Sequence, residues 1–345
     1  MERKIIEISW GSLWRIVLII ALIAALFVAK QAVFIFLLSL VLASALEPIV
    51  NFLEKRHFPR ILAILLIFII GLAVLAILLY TIIPITFIEL KDLFRDLEEK
   101  LPEFLKPFFS FHLFGELKQG SESFINVLLS GSSSFWNLMI KLFGGIVFLI
   151  AVFILTFYLL VSKHGVETFL RAILPENQEE RVINVYLKIR KKLGYWLQSQ
   201  LLLSVVVAGL SLLGLWLLGV KYSLLLAVLA GVLELVPMAG PIISGATAFF
   251  VALSHSWILG VYVIILFVAI QQLEAHVLLP AIIRKTMGVN PAVVVLALLA
   301  GYAIASWIGV VLAVPAAVTL QEIINDFSRH KAISREKTHT AENAQ

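Results

Sequence analysis

Two glutamates stand inside otherwise apolar stretches of this 345-residue sequence, and they are the first place to look for chemistry. Glu234 lies three residues before Pro237, and Glu274 has Gln271, Gln272 and His276 close by. If that second stretch is helical, Gln271 and Glu274 are three apart and Gln272 and His276 four apart, which gives two neighbouring polar stripes. A charged side chain at the centre of a membrane helix costs about 2.5–3.5 kcal/mol on insertion scales. An ionisable group in such a place therefore marks a pathway, or else is satisfied by loop backbone at a tip or an interface. The first reading makes Glu234 and Glu274 carboxylates that couple movement to a proton or a monovalent cation. The second makes them structural, and the residues alone leave both open.

Other chemistries find no matching residues. There is no Gly-x-Ser-x-Gly nucleophile turn. Neither a phosphate-binding Gly-x-x-x-x-Gly-Lys-Ser/Thr loop nor a His-Glu-x-x-His pair is present. Glu274 with His276 is too sparse for a metal site, and there is no cysteine. No catalytic residue, metal or cofactor is expected, and energy for transport must come from an ion gradient, a partner or the solute's own gradient. Glu47 precedes Pro48 at a helix end and reads as interfacial; His164, His255 and His330 fall in loops or helix ends and read as solvated.

The elements that must position the two glutamates are membrane spans. The chain is 61% hydrophobic and 14% charged, far from the roughly 45–50% and 25% of soluble domains. Apolar runs of the length of about 20 residues needed to cross a bilayer fill most of it. A membrane β-barrel would alternate apolar and polar residues, and here the apolar residues run unbroken. The fold class is all-α, a polytopic helical bundle in a membrane. The net charge of +5 is read as the bias of basic residues toward cytoplasmic loops, and nucleic acid is not an expected partner.

Six long runs can be traced: about Leu13–Ala29, Ala32–Leu46, Ile61–Ile88, Leu142–Val161, Leu201–Leu218 and Ile258–Leu279. They organise the chain into an N-terminal helical hairpin (1–60), a third span (61–88), an insertion (89–140), a fourth span (141–162), a basic segment (163–199), a C-terminal transport core (200–325) and a polar tail (326–345). Between Glu89 and Asn137 eight acidic residues outnumber five basic ones, which suits an outside location. Leu90, Leu93, Leu97, Leu101, Phe104, Leu105 and Phe108 recur there at helical spacing, forming an apolar stripe for a membrane surface or a neighbouring subunit. Between Lys163 and Ser199 seven basic residues exceed four acidic ones, which suits the cytoplasm.

Two stretches depart from the pattern. Ser223–Val236 and Ile242–Leu253 are apolar but short, and Pro237-Met238-Ala239-Gly240-Pro241 separates them. Neither half comfortably crosses about 30 Å of hydrocarbon, so the pair is either a complete hairpin or a re-entrant one. The second stretch, Ala292–Thr319 after Pro291, is interrupted by Gly301, Ser306-Trp307 and Gly309, with Pro315 near its end. Doubling back here keeps Arg329, Lys331, Arg335 and Lys337 on the cytoplasmic side, so both termini are expected inside. Paired short, Gly/Pro-interrupted segments are the best sequence pointer to a transporter's binding site.

These C-terminal segments carry a resemblance. Glu234-Leu235-Val236-Pro237-Met238-Ala239-Gly240-Pro241, then Gln272-Leu273-Glu274-Ala275-His276-Val277-Leu278-Leu279-Pro280, then Gly288-Val289-Asn290-Pro291 and Gly309-Val310-Val311-Leu312-Ala313-Val314-Pro315 follow one another in an order and spacing that resemble the autoinducer-2 exporter-like (AI-2E) transporter family, also described as permeases. The likeness extends over nearly the whole chain. It implies a multi-spanning protein of the cell inner membrane, a homo-oligomer, with some members linked to export of the furanosyl signal autoinducer-2 and others to sodium or proton antiport. By the same likeness Pro237, Gly240 and Pro241 shape the first hairpin tip, and Glu274 and Pro280 belong to the motif before the second. Ala275-His276 stands where members often have Gly-Asn, and Arg284-Lys285 where Gly is common.

The expected function is a secondary transporter that exports a small polar solute without ATP hydrolysis. Its partners are that solute, or a monovalent cation and protons, together with the lipid bilayer. A Na+(K+)/H+ antiporter is the rival, and a non-transporting membrane scaffold, binding partners through the Leu/Phe stripe, is the alternative from another class.

Overall fold

The computed structural model describes residues 29–100, 146–237, 239–282 and 291–342, and three isolated positions nearer the N-terminus. Every regular element among them is helical. In chain order these are α1 (Lys30–Lys55), α2 (Arg60–Lys100), α3 (Ile146–Val161), α4 (Gly165–Ile173), α5 (Glu176–Leu217), α6 (Ser223–Leu233), α7 (Ala239–Leu253), α8 (Trp257–Leu273), a π turn (Glu274–Leu278), α9 (Leu279–Ile282) and α10 (Pro291–Glu342). Among the described residues four helices are long and apolar enough to cross a membrane, and the bent pair α3–α4 makes a fifth candidate.

The spine is α5, 42 residues and so about 63 Å long. It passes without a break from the basic segment into the fifth apolar run, because nothing between Pro175 and Gly219 interrupts a helix for long. Its buried positions, among them Ile189, Leu193, Trp196, Leu203, Val207 and Leu215, recur at spacings of three, four, seven and eight, which turns one face toward neighbours along the whole length. Leu40 and Val41 of α1 and Val314 and Val318 of α10 meet it near Leu193 and Trp196. Pro48 inside α1 has no N–H for the Ser44 carbonyl. Gly194 of α5 covers that carbonyl: a Cβ at Gly194 would come within 2.5 Å of it.

The chain leaves α5 through a glycine cap. The Gly219 N–H bonds the Trp216 carbonyl and the Val220 N–H bonds the Leu215 carbonyl, at 3.0 and 2.9 Å. With Gly219 at φ +68°, this is the left-handed cap that reverses a chain tightly. α6 then runs back along α5, where Gly231 lets it approach Ala208 and the Ser204 backbone.

α2 runs 41 residues, through the boundary expected after Ile88. Leu93 packs with Leu225, Leu226, Ala248 and Val263 at the root of the first hairpin. Glu89 Oε2 accepts the Leu225 backbone N–H at 2.7 Å, in the first turn of α6. This start of the acidic insertion is therefore covered by the chain's own hairpin; residues 101–145 lie outside the described residues.

Candidate functional site

The first interrupted segment is a hairpin whose arms, α6 and α7, are 11 and 15 residues long, or about 16 and 22 Å, both short of the hydrocarbon thickness. Its tip stops level with Gln200 of α5 and Glu274 at the end of α8. Each of those residues lies 17 positions from the helix end beside the hairpin's root, Leu217 in one case and Trp257 in the other. By helix rise each is about 26 Å from that helix end. Gly240 closes the tip, since a Cβ there would overlap the Leu233 carbonyl. Pro237 and Pro241 flank it, half-buried, and the Ser244 hydroxyl donates to the Pro241 carbonyl at 3.2 Å. Met238 lies outside the described residues.

At that tip the two glutamates come together. Glu234 is 2% exposed and Glu274 is 7% exposed, and their carboxyl groups lie within hydrogen-bonding reach of one another. Gln271 Nε2 donates to Glu274 Oε2 at 3.3 Å, while Glu234 Oε2 is buried with no donor. Among the described residues, no Lys or Arg forms an ion pair with either carboxylate. Two carboxylates at this distance repel unless a proton or a cation lies between them. Burial away from water sharpens that requirement.

Glu274 is turned to the pair by an irregularity. The Leu279 N–H bonds the Glu274 carbonyl five residues back, so the helix widens into a π turn over Glu274–Leu278. Such turns occur mostly as single insertions, frequently at functional sites. The polar residues around Glu274 lie on different faces, as residues two apart on a helix do. Gln271 joins the pair, whereas Gln272 and His276 are exposed on the outside of the helix, with His276 Nδ1 3.0 Å from the Gln272 carbonyl. Pro280 follows on the exposed side of α9.

The sequence reading missed Gln200. It is 4% exposed, and its Nε2 donates a short hydrogen bond to the backbone carbonyl of Glu234. The available signal was a polar residue at the first position of an apolar helix face, three to four residues from Trp196 and Leu203.

The second interrupted segment also reverses. A helix of 52 residues is only nominal, because Ala305 (φ −145°, ψ 24°) and Ser306 (φ 51°, ψ −132°) leave helical geometry. The backbones of Gly301 and Gly309 touch, and a Cβ on either would overlap the other's carbonyl. Residues eight apart in a straight helix are about 12 Å apart along the axis, so the contact requires the chain to turn back. Two ion pairs fix the returning arm beside the basic end of α5: Lys192 Nζ to Glu322 Oε2 at 2.5 Å and Arg181 Nε to Asp326 Oδ2 at 2.6 Å. Pro315 lies in that arm, and its carbonyl accepts from the Thr319 hydroxyl at 2.8 Å. Pro291 opens the first arm, and Gly288 lies outside the described residues. The two hairpins thus enter from opposite ends of the bundle.

Comparison with known proteins agrees with this architecture. The model of the AI-2E family transporter matches residues 16–329. The chain belongs to that family. Similar proteins include YrrI of Bacillus subtilis, 25% identical over 94% of this chain and 91% of its own length. MT0215 of Mycobacterium tuberculosis is 27% identical over 89% and 86% respectively. YhhT of Escherichia coli is 26% identical over 86% and 85%. The names of all three assign them to transport. This AI-2E family member is accordingly a helical membrane protein of a transporter family, which agrees with the expected fold class.

Proposed function

We propose that this AI-2E family protein is a secondary transporter that exports a small polar solute, with the Glu234–Glu274 pair as its coupling site. The observation that carries the reading is that pair: two buried carboxyl groups within hydrogen-bonding reach at the tip of a broken hairpin, without a basic partner among the described residues. A proton or a monovalent cation held between them balances the charge. Releasing it on one side of the membrane leaves two like charges in contact, which favours another arrangement of the hairpin. That difference between loaded and empty states is what coupling requires, since a ligand shifts an equilibrium only by its differential affinity for the states. Gln271 and Gln200 position the pair, one on the carboxylate and one on the backbone. Export is supported by the family resemblance. The expected setting is the inner membrane with both termini cytoplasmic, supported by the basic bias of residues 163–199.

The rival within this reading is cation/proton antiport with no organic solute, and it is favoured by the same carboxyl pair. Flux in proteoliposomes carrying an internal pH dye, under imposed sodium or potassium gradients, separates the two. Antiport gives a cation-driven pH change that Glu234→Gln and Glu274→Gln each abolish. Coupled export gives a pH change only when labelled solute is present, lost in the same variants. Solute flux undiminished in both variants would remove the pair from the mechanism.

A further inference from the structure

A second polar feature lies away from the glutamate pair, at the basic end of the bundle. A cavity of about 680 Å³ opens between α1, the turn at 163–167 and α5, a volume typical of small-molecule sites. Its floor is Arg190, 8% exposed, whose Nη2 pairs with Glu47 Oε1 at 3.1 Å and whose Nε is buried with no acceptor.

The charges around the cavity are unequally satisfied. Each of its carboxylates already has a partner: Glu47 is held by Arg190, Glu54 by Lys163 at 2.7 Å and Arg60 at 2.9 Å, and Glu167 lies 3.0 Å from His164. Two of its cations do not. Lys55 and Lys191 line the cavity and form no ion pair with any described residue. Two unpaired ammonium groups and the side chain of Arg190 line one space of ligand size.

We propose that this cavity binds a small phosphate-bearing anion, with Lys55 and Lys191 supplying the counter-charge and Arg190, held by Glu47, forming the floor. The phosphate comes either from a soluble organic phosphate or from a phospholipid headgroup reaching in from the bilayer. The site is separate from the glutamate pair and its test needs no flux, so its failure leaves the transport reading untouched.

Titration calorimetry of the full chain in nanodiscs, with glycerol 3-phosphate as the probe, tests the proposal. In phosphatidylcholine nanodiscs the probe binds, and the double variant Lys55→Gln/Lys191→Gln weakens binding by about tenfold or more, as expected for losing charge-assisted hydrogen bonds. Lys188→Gln, an exposed basic residue outside the cavity, leaves binding unchanged. If nanodiscs containing phosphatidylglycerol suppress probe binding, the lipid headgroup is the occupant; if they do not, the ligand is soluble. No binding to well-folded protein in phosphatidylcholine, or equal affinity in the double variant, overturns the proposal.

Discussion

The Gln200 amide reaches across from α5 to the main chain of Glu234 and fixes the height at which the hairpin tip stops. Since Gln200 is 4% exposed, replacing it with Leu leaves a buried carbonyl without its donor, at a cost of about 1–3 kcal/mol. The expected result for Gln200→Leu is a lower thermal midpoint in detergent together with reduced flux, whereas Gln200→Glu, which cannot donate when ionised, impairs flux at least as much. An unchanged midpoint would show that water or another donor replaces the amide. The glutamates were legible in the sequence because a charge in an apolar run has a known cost. Their meeting was not, because 40 residues and two chain reversals separate them. Gln200 escaped notice for a related reason: it sits where a polar segment turns apolar, and burial at such a boundary is decided by the partner helix. Gln272 and His276 illustrate the converse: they are near Glu274 in sequence, but residues two apart on a helix do not share a face, and both are exposed.

Helices here are broken and joined by local chemistry that sequence periodicity detects only in part. The Pro/Gly cluster at 237–241 announced the first break, and Gly219 closes α5 with a cap whose residue type is required by its positive φ. The second break was announced by Gly301 and Gly309 without saying that they touch. In close contact they allow no side chain, so Gly309→Leu forces the arms apart. Overpacking of this kind costs typically about 1–3 kcal/mol, and here the overlap is with backbone, which cannot rotate away. The expected outcome is a lowered thermal midpoint and loss of the monodisperse peak in size-exclusion chromatography, with Gly71→Leu, at a position open to its surroundings, as the tolerated comparison. Equal behaviour of the two variants would mean that the arms separate freely. α2 was legible as a long apolar run, but its helical continuation past Ile88 was not. Glu89 and Leu93 are drawn into that helix by partners on α6 and α7, and no window of sequence contains both sides of that contact.

At the scale of the molecule the decisive arrangement is the opposed pair of hairpins, one rooted beside Leu217 and Trp257, the other beside the basic end of α5. Arg181 with Asp326 and Lys192 with Glu322 place the end of the second hairpin on the same face as the start of α5. The proposed orientation, argued from the bias of basic residues, makes that face the cytoplasmic one. Because the chain has no cysteine, single substitutions report sidedness without background. Ser256→Cys, at the exposed turn between α7 and α8, should react with a membrane-impermeant maleimide added to intact cells. Lys188→Cys on α5 and Ser328→Cys on the returning arm, both exposed, should react only after the membrane is opened. Reaction of Ser328→Cys together with Ser256→Cys would require the second segment to cross the membrane, against the Gly301–Gly309 contact. Reaction of Lys188→Cys and Ser328→Cys alone in intact cells would keep both reversals and invert the protein in its bilayer. In that case the Lys55–Lys191 cavity would face outward, and the anion it meets would come from outside the cell.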